Sequence, residues 1–94
     1  MLTIIAKMIA KKGKENETYQ ALTKLIQPTR AEKGNRVYDL HQQMDDTRVF
    51  FFYEVWESEA DFQAHTQSEH ILAYREKMND LLDEREVYPL KKVD

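Results

Sequence analysis

The stretch Arg48 to Trp56, RVFFFYEVW, restricts the folds open to this chain more than any other. In a strand, side chains alternate between faces. Phe50, Phe52, Glu54 and Trp56 then share one side, and Val49, Phe51, Tyr53 and Val55 share the other. A strand apolar on both sides belongs in the centre of a sheet that is covered twice. With 94 residues, the chain suits one domain, residues 1–94, with a small core. Burial against a second copy is one way to enlarge such a core.

After Trp56 the spacing of apolar residues becomes helical. Ser58-Glu59-Ala60-Asp61 resembles a capping box and opens a helix that carries Phe62 and His65 on one face. Ser68 restarts the helix. His70 lies in its first turn, and Ile71, Tyr74, Arg75, Met78, Leu81 and Leu82 follow at helical spacing to about Arg85. Glu86 to Val93 is predicted as a last strand, with Pro89 marking an edge position or an exchanged arm.

Upstream, Leu2 to Ala10 reads as a strand with Leu2, Ile4, Ala6 and Met8 on one face. A helix from about Glu15 carries Tyr19, Leu22, Leu25, Ile26 and Thr29 on one stripe. Pro28 predicts a kink or break in it, and Gly34 stands where a C-cap glycine belongs. Asn35 to Met44 is a second strand, with Tyr38, Leu40 and Gln42 on one face. Asp45-Asp46-Thr47 turns it into the aromatic strand. The order β-α-β-β-α-β is the α+β, ferredoxin-like split βαβ arrangement: an antiparallel sheet with helices on one face. The other face keeps bulky apolar residues, and a homodimer packed sheet to sheet is its simplest cover.

Composition removes several function classes. There is no cysteine, which excludes disulfides, thiolate catalysis and thiolate metal sites. The net charge is −3 with both signs interspersed, and no basic stripe speaks for nucleic acid. The first apolar run is broken by Lys7 and followed by Lys11 and Lys12. It has neither a signal peptide's cleavage site nor a membrane span's length, so a cytoplasmic location away from membranes is expected. Neither Glu32 nor Glu54 has a second carboxylate or histidine at a metal-site spacing, so no metal is expected.

Four residues near the strand-to-helix junction could carry chemistry. Trp56 either packs in the core or stacks on an aromatic substrate while its indole donates. His65 is either a general base at neutral pH or a helix-packing histidine. His70 is either a neutral pocket donor or exposed. Glu54 interrupts an apolar strand and must be paired or protonated if buried. Arg30, Arg36 and Arg75 are available to pair with it.

The chain resembles the antibiotic biosynthesis monooxygenase family of dimeric α/β-barrel proteins. The matching stretches are KKGKENE at 11–17, PTRAEKGNRVYDLHQ at 28–42 and FYEVWESEADFQAHTQSEHI at 52–71. The resemblance implies a homodimer and a pocket between sheet and helices in each subunit. His65 and Trp56 are the expected catalytic pair in such a pocket, with Phe52, Glu54, Tyr38, His70, Phe62 and Ala6 expected around a substrate. Among family activities are cofactor-free oxidation of quinols and hydroxyaromatics by molecular oxygen, haem degradation and isomerisation. The haem branch needs an Asn, a Trp and an axial His where this chain has Ala6, His65 and Arg75. The polyketide-oxidising branch has an Asn at Phe52. The resemblance therefore points to a cofactor-independent monooxygenase acting on a small hydroxyaromatic or quinol, with no bound cofactor. A small-molecule isomerase and a non-catalytic dimeric binding domain are the alternatives.

Overall fold

The computed structural model describes all of residues 1–94. Its elements are β1 (Leu2–Ala10), α1 (Glu15–Thr23), α2 (Ile26–Arg30), β2 (Asn35–Gln42), β3 (Val49–Trp56), α3 (Glu59–Thr66), α4 (Glu69–Leu81) and β4 (Leu82–Leu90). The four strands form one antiparallel sheet in the order β2-β3-β1-β4. This is the ferredoxin-like α+β fold. The aromatic strand β3 lies inside the sheet, between β2 and β1, as its two apolar faces require.

The helices cover one face. Under them lie Ile4, Ala6 and Met8 of β1, Phe50, Phe52 and Trp56 of β3, and Tyr38 of β2. Leu22 and Leu25 from the first helical pair and Ile71 and Leu81 from α4 close over this layer. The opposite face carries Ile5, Tyr53 and Tyr88 side by side, and Tyr53 and Tyr88 are exposed. No helix is long and apolar enough to cross a membrane.

Several boundaries differ from the sequence expectation; β2 ends at Gln42 instead of Met44 and β4 at Leu90 instead of Val93. The first helix breaks at Lys24–Leu25, ahead of Pro28. Pro28 is then the third residue of α2, in a first turn whose amides have no partner inside the helix, so its missing donor costs little there. The buried face of α1 runs through Thr18 and Leu22, while Tyr19 is half exposed. The last helix ends at Leu81, and β4 starts at Leu82 instead of Glu86. Leu82 pairs with Ala10, and Glu84 and Arg85 pair with Ile9 and Met8. Strand pairing with β1 overrides the helical spacing of Leu81 and Leu82. Pro89 falls in β4, an edge strand, where a lost ladder donor is tolerated.

Two local devices bring the loop before β2 against α3. Gly34 has a φ of +81°, the left-handed region open to glycine, and a Cβ there would run into the Asp61 side chain. Asp61 belongs to the cap of α3: its amide donates to Ser58 Oγ at 3.1 Å, and Ser58 Oγ donates to Asp61 Oδ2 at 3.0 Å. The close passage of Gly34 over this cap sets Glu32, two residues earlier, beside α3. On the other side Arg30 ties α2 to β2 by donating to Tyr38 O at 3.3 Å and Asp39 Oδ1 at 3.1 Å.

Candidate functional site

Between the sheet and the helices lies a cavity of about 60 Å³. One water needs roughly 10–15 Å³ by the same measure, so the space is narrow. Its wall is mostly apolar: Ala6, Met8, Phe52 and Val87 from the sheet, and Phe62 and Ile71 from the helices. The polar residues in the wall include Glu54, Tyr38, His65, Tyr74, Arg75 and Arg85.

His65 stands on the inward side of α3 and is 5% exposed. Its Nδ1 lies 2.8 Å from Glu32 Oε2. A carboxylate only accepts, so Nδ1 carries the hydrogen and donates it. Nε2, which has no protein partner, then keeps its lone pair. Burial pushes the imidazole below its ordinary 6.5, against the opposing pull of the Glu32 bond and charge. The ring is therefore neutral at pH 7. It also packs on Trp56, with ring centres 4.7 Å apart, and on Phe62 at 6.0 Å. A neutral imidazole with one nitrogen pinned and the other free has the form of a general base.

Glu54 is 4% exposed, and its Oε1 accepts from Trp56 Nε1 at 3.0 Å. The arginine partners expected from the sequence are not beside it. Arg30 pairs with Asp39 and Arg36 with Glu57, both on the surface, and Arg75 forms no ion pair. Burial raises the Glu54 pKa from an ordinary 4.5 to about 7, and the indole bond only partly offsets this. An acid that holds its proton near neutral pH can both donate and accept in one cycle.

Trp56 is fully buried and is not on the cavity surface. It lies behind His65 and under Glu54, holding both, so its indole donor is already used. His70 is also outside the cavity. Its Nε2 is 2.9 Å from the same Glu32 Oε2 and 3.1 Å from Thr29 Oγ1. Tyr38, Phe52, Glu54, Phe62, His65 and Ala6 do share the cavity wall. Tyr38 stacks on Phe52 with ring centres 4.2 Å apart, and burial, reinforced by the Glu54 charge, keeps its phenol protonated.

Two residues have no place in the site expected from the sequence. Glu32 lies 33 positions from His65, and no local pattern joins them. Tyr74 lines the cavity, its hydroxyl has no hydrogen-bond partner, and burial pushes its pKa up to about 12. It had read only as part of a helical stripe. The sequence has no second carboxylate or histidine at a metal-site spacing from Glu32. Glu32, His65 and His70 place one donor atom each within 4.8 Å of one another, through tertiary contact and not sequence spacing.

The fold and this cavity define a ferredoxin-like α+β protein with a site between its sheet and its helices. Residues 1–77 match the antibiotic biosynthesis monooxygenase family, and the chain belongs to it. The chain is 30% identical over 82 residues to the Bacillus subtilis protein YcnE, named provisionally as a monooxygenase; the match covers 87% of this chain and 86% of YcnE. Among solved structures, PA3566 from Pseudomonas aeruginosa superposes with a TM-score of 0.95 at 32% identity, covering 99% of this chain and 94% of that one. Rv0793 from Mycobacterium tuberculosis superposes with a TM-score of 0.92 at 30% identity, covering 99% and 95%. The names support a monooxygenase-like function.

The buried carboxyl makes a prediction about stability. A folded-state pKa raised above the unfolded value contributes stability that is present below pH 4.5 and lost as pH rises through about 7. Glu54→Gln keeps the neutral shape and still accepts from Trp56. Relative to the variant, the wild type should lose on the order of 3 kcal/mol of unfolding free energy between about pH 4.5 and pH 8. Urea melts at several pH values measure this, and parallel curves for the two proteins would contradict it.

Proposed function

We propose that this protein is a cofactor-independent monooxygenase that oxidises a small hydroxyaromatic or quinol with molecular oxygen. The observation that carries the reading is His65. It is a neutral imidazole in the wall of an apolar cavity, with Nδ1 held by Glu32 and Nε2 unpartnered. Glu54, with a pKa of about 7, and the unpaired Tyr74 hydroxyl are the other two groups suited to the chemistry.

In this scheme His65 Nε2 takes the phenolic proton, and the electron-rich anion passes one electron to dioxygen. The two radicals combine, forming a carbon–oxygen bond, and the peroxide anion takes a proton from Glu54. The oxygen–oxygen bond then breaks as the proton on the same carbon leaves. One oxygen atom becomes the quinone carbonyl and the other leaves as water, so dioxygen accepts four electrons and the substrate supplies them. Exclusion of water by Phe52, Phe62 and Ile71 protects the radical pair and the peroxide. Trp56 serves through its indole bond to Glu54 and its packing on His65, as a positioning residue.

Oxygen uptake with a panel of naphthoquinols and phenols tests the reading. Uptake with stoichiometric quinone formation is expected, and His65→Ala should lower the rate by roughly 10²–10⁴-fold, the usual scale of general acid–base catalysis. No uptake with any compound, or an undiminished rate in His65→Ala, would overturn it.

The working form in this reading is a homodimer, sheet face to sheet face, in the cytoplasm. The support is the uncovered face, where Ile5 lies beside Tyr53 and Tyr88, and Leu90 is also exposed. An interface of that kind buries more than about 2,000 Å² in total. Light scattering at micromolar concentration should give twice the chain mass of 11.2 kDa, and a stable monomer would contradict the dimer.

A further inference from the structure

Glu32 does more than orient His65. Its Oε2 is approached by two imidazole nitrogens at once, His65 Nδ1 at 2.8 Å and His70 Nε2 at 2.9 Å. Around His70 Nε2 stand two further oxygens, Thr29 Oγ1 at 3.1 Å and Ser68 Oγ at 3.3 Å. A ring nitrogen offers one hydrogen or one lone pair, never enough for three oxygen neighbours. One carboxylate oxygen and two imidazole nitrogens, from the loop after α2, from α3 and from the first turn of α4, thus converge within 4.8 Å of one another, with two hydroxyl oxygens beside His70 Nε2.

We propose that Glu32, His65 and His70 form a binding site for a divalent transition-metal cation of the zinc type. Two imidazoles and a carboxylate, without thiolate, suit zinc, cobalt, nickel or copper; magnesium and calcium prefer all-oxygen shells. The three ligand atoms already lie within 4.8 Å of one another. Ligand bonds of about 2.0–2.2 Å in a tetrahedral shell set ligand atoms roughly 3.3–3.6 Å apart, so each imidazole nitrogen moves off Glu32 Oε2 by somewhat more than half an ångström. The side chains are 17%, 6% and 22% exposed for Glu32, His65 and His70, so the cluster is sheltered but open on the His70 side. Thr29 and Ser68 are placed to hold a water or hydroxyl in the next position.

The proposal does not depend on the oxidative reading, but it bears on it. An ion on His65 Nδ1 leaves Nε2 with the ring's only hydrogen, so the loaded protein lacks the free base. Oxygen uptake therefore belongs to chelator-treated protein.

The test uses tag-free, chelator-treated full-length protein and the metals alone. Calorimetry should show one zinc per chain with a dissociation constant in the micromolar range or below, and no comparable heat with magnesium. Loss of an outer-shell partner usually costs 10–100-fold in metal affinity, so loss of a ligand in His70→Ala or Glu32→Gln should cost at least about tenfold. Cobalt should give visible absorption bands in the wild type that disappear in both variants. His70 is the most exposed of the three, and circular dichroism checks that His70→Ala stays folded. His41→Ala, on the exposed far edge of β2, serves as control and should bind as the wild type does. Binding weaker than millimolar, or binding left intact by His70→Ala and Glu32→Gln, would overturn the site.

Discussion

The contact on which this site depends is the one between Glu32 and His65. A buried imidazole without a partner would cost the full desolvation of a polar group, on the order of 1–3 kcal/mol. Glu32 removes that cost on one nitrogen and, by accepting, fixes which nitrogen holds the hydrogen. The choice of tautomer then decides what Nε2 carries: a lone pair and not a hydrogen. Replacement of Glu32 by an apolar residue would leave His65 free to turn and to exchange its two nitrogens.

This contact is itself a product of the fold. The turn at Gly34 can pass over the cap of α3 only without a side chain, and that passage sets Glu32 beside His65. The indole of Trp56 completes the arrangement from the sheet side. It fills the space under the imidazole and donates to Glu54, so a carboxyl in an apolar strand keeps one hydrogen bond where no arginine reaches it. The burial that raises Glu54 is the same burial that lowers His65. One largely apolar wall therefore carries both an acid and a base in the lining of one narrow space.

Much of this was legible in the chain. The two-faced aromatic strand, the capping box at Ser58 and the three-residue step from Phe62 to His65 place that imidazole under the sheet from local rules alone. What stayed hidden was tertiary. Glu32 has no partner at a readable spacing, because His65 and His70 are 33 and 38 residues away. Trp56 sits on the helix-covered face, as alternation requires, yet whether it faces the cavity or a layer behind it depends on how α3 packs. The start of β4 at Leu82 was masked because Leu81 and Leu82 fit helical spacing equally well, and only pairing with β1 separates the two. The family resemblance carried the fold over the whole chain and left the choice of reacting groups to geometry.

The central claim is that His65 presents a free Nε2 lone pair to the cavity while Nδ1–H is held by Glu32. Long-range nitrogen–proton NMR correlation on labelled, chelator-treated protein at pH 7 reads this directly. A neutral His65 ring with its hydrogen on Nδ1, lost or mixed in Glu32→Gln, is the result predicted here. A hydrogen on Nε2 in the wild type, or a doubly protonated ring, would contradict the account.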